Sequence, residues 1–431
     1  MSNSKASLAT VYVKPGEADR LVAGHPWLYD NSVLRVTEGV PDGAVVQVKD
    51  HRRRFLGVGF YHSRSKIRVR LLSRERVTVD TAFFEARIRS ALEVRRRHLP
   101  EASSFRVVHA EADFLSGLIV DKYEDVLVLQ ISSLGMEQRK GQIVEALQRI
   151  FRPRAILERS DATARKFEGL PMVEGVLAGE WPAPRLPQQS SAFQQRPGQV
   201  AELDPIGEGP RLPVRMHGLT FEVDFWTGHK TGLYLDQQTN YQLVARWARG
   251  AQVLDAFCFL GGFGLHAAQA GADRVHMIDQ SETAVRAALR NAALNGLAAR
   301  CTAETANVFD WLKARTRTQP SQKLAPSYDL IVLDPPSFTR TRASVPDALR
   351  GYKEIHVRAL KLLRPGGVLA TFCCSHHVDA RTFLDVILSA AYDTRHILRR
   401  LATFSQGPDH PVIPMIPETE YLKGYAFELV R

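Results

Sequence analysis

Residues 253–264 read VLDAFCFLGGFG, a short apolar run that carries an acid and then turns through aromatics and glycines. Val253 and Leu254 predict a buried strand with Asp255 near its carboxyl end, and Gly261, Gly262 and Gly264 predict the turn into a helix. Glycine lets a backbone approach a ligand closely and adopt positive φ, so this turn is a candidate cradle. Twenty-four residues beyond Asp255, Asp279 closes a second apolar run, VHMID, where a carboxylate can accept from two ribose hydroxyls. The glycine spacing departs from G-x-G-x-x-G, which disfavours a dinucleotide and leaves an adenosine-containing ligand.

Outward from this stretch, residues from about 226 to 431 alternate short apolar runs with helical periodicity: AAQAG, SETAVRAALRNAALN, YDLIVLD, GYKEIHVRALKLL, GGVLATFCC, DARTFLDVILSAA. The pattern predicts an α/β fold, a doubly wound and mostly parallel sheet whose ligands gather beyond the carboxyl ends of its strands. YDLIVLDPPSF (328–338) brings Asp334 to such an end, and two prolines then fix an extended loop without backbone donors of its own. ATFCCSHHVD (370–379) places two of the chain's 4 cysteines side by side. Neighbours on a strand point to opposite faces, so Cys373 and Cys374 cannot share one metal, and the Cys-Cys-Ser-His-His spacing does not wrap an ion. No metal is expected. A disulfide between adjacent residues would be strained, so a thiol nucleophile or an unreactive core cysteine remains, and periodicity alone does not choose between the two sulfurs.

Upstream, ATVYVKP, GAVVQVKD, FLGVGFYH and KIRVRLL are β-branched and aromatic runs separated by turn residues, which predicts a small β-rich domain over residues 6–78. Of the formal net charge of +11, +7 falls within residues 1–76, which hold 14 Lys and Arg against 7 Asp and Glu. Such asymmetry points to a polyanionic partner. Arg52, Arg53 and Arg54 stand in one run, while Arg64, Lys66, Arg68 and Arg70 alternate with Ile67, Val69 and Leu71, giving one cationic and one apolar strand face. An edge strand charged against aggregation is the competing account. Residues 79–225 read as an α+β middle domain: a helix, a hairpin, a second helix and a strand. Seven prolines interrupt all periodicity over 182–213, which is expected to be a loop or insertion. No apolar run approaches the ~20 residues that cross a bilayer, MSNSKASLAT lacks a signal-peptide core, and the few cysteines suit a reducing compartment. A cytoplasmic protein that binds no membrane is expected.

Taken together, FCFLGGFG, DPPSF, TFCCS, DHPV and YLKGYA resemble the class I S-adenosylmethionine-dependent methyltransferases. More narrowly, they resemble the large-subunit ribosomal RNA methyltransferases that carry an amino-terminal PUA domain and modify cytosine at C5. HAEADFLSGLIVDKY, ERSDATARKFEGL and WTGHKTGLYLDQQTN extend the likeness over nearly the whole chain. The resemblance implies S-adenosylmethionine as cofactor, held by Tyr234, Asp236, Gln237, Asp255, Phe257, Gly261, Gly262, Gly264, Asp279 and Asp334. Asn307 stands where relatives carry an acid, with an amide oxygen expected to accept from the adenine amino group. The pattern T-F-x-C-S assigns the nucleophile to Cys374, and Asp334 would bind the N3 and N4 edge of the cytosine. Pro335 and Phe338 join the arginines as expected RNA contacts. Two other functions stay open at this point: a guanine methyltransferase that needs no thiol, and a non-catalytic RNA-binding or ribosome-assembly factor. A homodimer is equally open.

Overall fold

In this computed structural model residues 8–161, 163–182, 210–226, 231–317, 325–339 and 341–430 are described. By packing they divide into two units. The first comprises residues 1–210, 224–232 and 408–419, and the second residues 211–223, 233–407 and 420–431.

The first unit holds two sheets. The β-branched runs at the start become β1 (Thr10–Val13), β2 (Trp27–Tyr29), β3 (Val33–Val36), β4 (Val45–Lys49), β5 (Phe55–Tyr61) and β6 (Ile67–Ser73), with a short helix α1 (Asp19–Ala23) after β1. They pair in the order β2-β6-β5-β4-β1-β3 around Val11, Val46, Val48 and Val69, all fully buried. Then α2 (Thr81–His98) begins where the Asp80 carboxylate accepts from Phe83 N at 2.9 Å. The second sheet, ordered β11-β10-β9-β8-β7, consists of β7 (Phe105–His109), β8 (Leu118–Tyr123), β9 (Val126–Ile131), β10 (Ala155–Ser160) and β11 (Val173–Gly179). α3 (Leu134–Glu137), α4 (Lys140–Phe151) and α5 (Ala164–Phe167) complete this region. Most of the expected insertion, residues 183–209, lies outside the described residues.

The cationic face expected around β6 needs correction. Val69 and Leu71 are buried as the alternation requires, and Arg64 and Lys66 are exposed just ahead of the strand. Arg70 is different. Its guanidinium meets Glu168 at 3.0 Å and Glu111 at 3.6 Å, with only 13% of its side chain exposed, so its charge is already matched inside the protein. Arg68 donates to the carbonyl of His62 at 3.2 Å, and Arg54 pairs with Asp50 at 2.6 Å. Arg52, Arg53, Arg64 and Lys66 remain as exposed cations, and Arg54, though paired with Asp50, keeps 72% of its side chain in solvent.

The second unit opens with a hairpin, β12 (Arg211–Met216) and β13 (Leu219–Asp224), followed by α6 (Gln238–Ala245). Its main sheet runs β16-β15-β14-β17-β18-β20-β19, from β14 (Gln252–Ala256), β15 (Arg274–Asp279), β16 (Cys301–Thr305), β17 (Tyr328–Leu333), β18 (Leu363–Cys373), β19 (Leu398–Ser405) and β20 (Lys423–Leu429). The first five are mutually parallel, and β20 runs antiparallel to both β18 and β19. The intervening helices are α7 (Gly262–Gln269), α8 (Glu282–Leu294), α9 (Val308–Thr316), α10 (Val345–Leu362) and α11 (Ala380–Thr394). Because parallel strands are covered on both faces, they read as continuous apolar runs; Leu254, Ile331 and Leu369 are fully buried in one core. This is the mostly parallel, Rossmann-like sheet expected from the alternation.

Candidate active site

Four neighbouring parallel strands, β15, β14, β17 and β18, each deliver a reactive or acidic side chain at the carboxyl end: Asp279, Asp255, Asp334 and Cys374. Asp279 is the last residue of β15, while Asp334 and Cys374 each follow the last residue of their strand. Sheet topology therefore gathers residues that are 119 positions apart in sequence.

The turn after β14 is wound tightly. Phe257 (φ 69°), Phe259 (φ 50°) and Gly261 (φ 86°) all occupy left-handed backbone, which costs a side-chain-bearing residue roughly 1–2 kcal/mol and tends to persist at functional sites. At Gly262 a Cβ would stand 2.5 Å from the Tyr241 ring, so only glycine fits there. Asp255 fastens the turn by accepting from Gly264 N at 2.8 Å through Oδ2. Its Oδ1 is buried and, among the described residues, has no hydrogen-bond partner. Burial raises this carboxyl to about 7, with nearby Asp279 adding to the rise and the Gly264 N–H opposing it. Asp279 accepts from Phe259 N at 3.0 Å and Ser281 N at 2.9 Å, one bond to each oxygen, so each oxygen keeps a further lone pair.

Tyr234, Asp236 and Gln237 precede α6. Asp236 and Gln237 are buried; Asp236 Oδ2 accepts from the Tyr421 hydroxyl at 2.6 Å, and Gln237 Oε1 accepts from Asn240 Nδ2 at 2.7 Å. The Tyr234 phenol is driven upward first by burial and then by the charges of Asp334, Asp236, Cys374 and Asp279. Asn307 departs from expectation. It is exposed and caps α9, its Oδ1 accepting from Phe309 N at 3.0 Å and Asp310 N at 3.3 Å. Two lone pairs are thereby engaged, so what Asn307 can offer an adenine is the Nδ2 donor rather than the oxygen.

The four cysteines separate cleanly. Cys258, Cys301 and Cys373 are buried, whereas Cys374 is half-exposed. Burial pushes the Cys258 thiol well above its usual range and that of Cys301 up to about 11, so neither is a ready thiolate. Cys374 Sγ stands 4.0 Å from the carbonyl oxygen of Pro335, at the start of the Pro-Pro loop. Ser375 ties the two loops together, with its hydroxyl 2.8 Å from that of Ser337 and 3.2 Å from the Tyr352 phenol. Phe338, expected to contact RNA, instead packs among Tyr352 (centroids 4.6 Å), Phe309 (5.4 Å) and Phe257 (6.4 Å), half-buried on the core. Tyr241, Ser337, Tyr352, Ser375, Tyr421 and Lys423 belong to the site without having been singled out in the sequence; Ser375 lies within the TFCCS motif and the last two within YLKGYA.

Residues 195–416 match the S-adenosylmethionine-dependent methyltransferase family model, and residues 11–74 match a PUA-like domain. Over 96% of its length the chain is 36% identical to "Ribosomal RNA large subunit methyltransferase I" of Shewanella denitrificans, of which 98% is covered. The chain belongs to that family. The protein of the same description from Vibrio vulnificus is 34% identical, with 98% of this chain and 100% of that one covered. Among solved structures, one described as a methyltransferase from Streptococcus mutans superposes with a TM-score of 0.76 at 19% identity, covering 97% of this chain and 100% of that one. Another, complexed with SAH, gives 0.77 at 20%, with the same coverage, and both likenesses concern the fold.

As a member of this family the protein is an S-adenosylmethionine-dependent methyltransferase. The residues present fit that cofactor. It is cationic at its sulfonium and amino groups, and the carboxylates of Asp255 and Asp279 at the strand ends, the former with a buried oxygen still to be satisfied, would suit those charges and its ribose hydroxyls. Among the described residues no helix is long and apolar enough to cross a membrane.

Proposed function

We propose that the enzyme forms 5-methylcytosine in large-subunit ribosomal RNA through a covalent bond between Cys374 and C6 of the base. The observation that carries this reading is the position of Cys374: the one half-exposed cysteine, at the end of the strand beside the one that presents Asp334. Relatives named as ribosomal RNA large subunit methyltransferases and the match to a PUA-like domain support RNA as the substrate, gripped through residues 6–78, and a cytoplasmic site of action.

Cytosine C5 is too weak a nucleophile to take a methyl group unaided. Addition of the Cys374 thiolate to C6 forms an S–C6 bond and moves the C5=C6 electron pair onto the C5 side of the ring. Asp334, hydrogen-bonded to the N3 and N4 edge, helps to protonate N3 as the thiolate adds and takes that proton back when the ring regains its double bond. S-adenosylmethionine, held by Asp279, Asp255, Asp236, Tyr234 and the Gly261–Gly264 turn, supplies the electrophilic methyl group when bound. Loss of the C5 proton then returns an electron pair to C5=C6 and expels the Cys374 thiolate, which restores the enzyme. Nucleoside analysis of RNA methylated by the wild-type protein and by Cys374→Ala tests the reading: 5-methylcytosine from the former alone is expected. A methylguanosine product unaffected by the substitution would overturn it.

A further inference from the structure

Lys423 lies beside the reactive cysteine and has no part in the reaction as written above. It opens β20, whose antiparallel register against β18 sets Lys423 opposite Cys373. From there its Nζ donates to the carbonyl oxygen of Ser375, the residue after Cys374, at 2.6 Å. The ammonium is half-buried, where water screens a charge less than at the surface. The titratable groups whose charge acts on it most are Cys373, Cys374, Asp379 and Glu420. Burial lowers the lysine while all four raise it, the two thiols ahead of the two acids. Cys373 is fully enclosed in the core and out of reach of any ring. Cys374, whose charge is also felt by Tyr234 and Tyr352, is the thiol on which this cation can act to chemical effect.

We infer that Lys423 is a positioning residue for the reaction: its ammonium, fixed by the Ser375 carbonyl, stabilises Cys374 as the thiolate that adds to the pyrimidine. The thiol proton passes to solvent before the base arrives, and no other bond changes. A cation beside a cysteine shifts the thiol–thiolate balance by this means in other settings. The assignment rests on Cys374 being the nucleophile, so its test is a measurement that needs neither RNA nor turnover.

The test is the pH dependence of Cys374 alkylation by iodoacetamide in the full-length protein, with the modified residue located by peptide fragmentation. Lys423→Gln keeps a donor for the Ser375 carbonyl and removes the charge; Lys423→Arg keeps the charge. The glutamine variant is expected to move the midpoint of Cys374 alkylation upward by about one pH unit or more, slowing the reaction near pH 7 roughly tenfold. The arginine variant is expected to restore most of the rate. If the midpoint in Lys423→Gln matched that of the wild type, with thermal unfolding of the two proteins alike, the lysine would be an anchor for the backbone and the inference would fall. Failure of the nucleophile assignment reads out separately, as methylation at C5 by Cys374→Ala. Loss of folding in Lys423→Gln would itself count against a purely electrostatic role, with Lys423→Arg then deciding whether a charge is required at all.

Discussion

The sulfur of Cys374 stands 4.0 Å from the carbonyl oxygen of Pro335, so the thiol at the end of β18 abuts the loop projected by β17. A base held by Asp334 in that loop would lie next to the sulfur. Cys374→Ala is therefore expected to lower cytosine methylation by at least ~10³-fold, as removal of a nucleophile does. It should also abolish capture of RNA carrying 5-fluorocytosine, in which the proton that must leave C5 is replaced. Cys373→Ala, an exchange inside the core, should retain both reactions.

Ser375 holds the Cys374 end of β18 against the Pro-Pro loop through Ser337 and against α10 through Tyr352. Its hydroxyl is engaged by these two partners, so Ser375→Ala should act by letting Cys374 drift from the Pro-Pro loop. We expect kcat to fall roughly 10–100-fold with KM for RNA little changed, and stability to drop by ~1–2 kcal/mol for the buried hydrogen bonds lost. Steady-state kinetics and chemical denaturation separate the two effects. An equal rise in KM would mean that the hydroxyl contacts RNA.

Asp255 gives cofactor binding a pH dependence whose sign follows from its carboxyl being raised to about 7. A cationic ligand favours the carboxylate, so below about pH 7 binding must first expel a proton, and affinity should fall by up to tenfold per pH unit. Titration calorimetry in two buffers of unequal ionisation enthalpy should detect release of up to one proton near pH 6.5. In Asp255→Asn that release and the slope should both vanish. In the ligand-free fold the same group acts on stability in the opposite sense: from 3.8 towards about 7 the unfolded chain gives up its proton first, so stability declines as pH rises.

How much of this was legible in the sequence depended on whether the signal was local. Asp255, Asp279 and Asp334 could each be placed at or near a strand end because an apolar run stops there, whereas the choice of Cys374 over Cys373 came from the resemblance carried by TFCCS and not from periodicity. The helix after Asn307 could likewise have revealed that residue as a cap, since an amide or short acid ahead of a helical run is the usual N-terminal signal. Lys423 and Ser375 could not be connected from sequence, because their bond depends on β18 and β20 lying antiparallel. The grouping of residues 408–419 with the first unit is non-local in the same way. Arg70 shows the converse. Alternation identified the face of β6 on which it lies but carried no information on what packs against that face, and Glu168 and Glu111 are distant in sequence.

Arg70 and Glu168 should behave as a structural pair: Arg70→Met leaves Glu168, whose side chain is 4% exposed, as a buried carboxylate short of its cation. A loss of ~3–5 kcal/mol in unfolding free energy is expected, against a change near zero for Arg64→Ala. Denaturant titration of the two variants checks this.

Arg64 and Lys66 should supply what Arg70 does not. Both are exposed, and Arg64 comes no closer to Asp42 than 4.0 Å with 80% of its side chain in solvent, so the internal pairing costs little to break. Each phosphate contact releases condensed counterions, and removing two such contacts should reduce the slope of log affinity against log salt by about 1.5. The double variant Arg64→Ala, Lys66→Ala is therefore expected to bind RNA more weakly at low salt and to converge on the wild type as salt rises. Its unfolding should be unchanged, and so should its affinity for S-adenosylmethionine. Parallel salt titrations for the two proteins would assign this surface to solubility and move the RNA contact elsewhere in the first unit, with Arg52 and Arg53 the next cations to test.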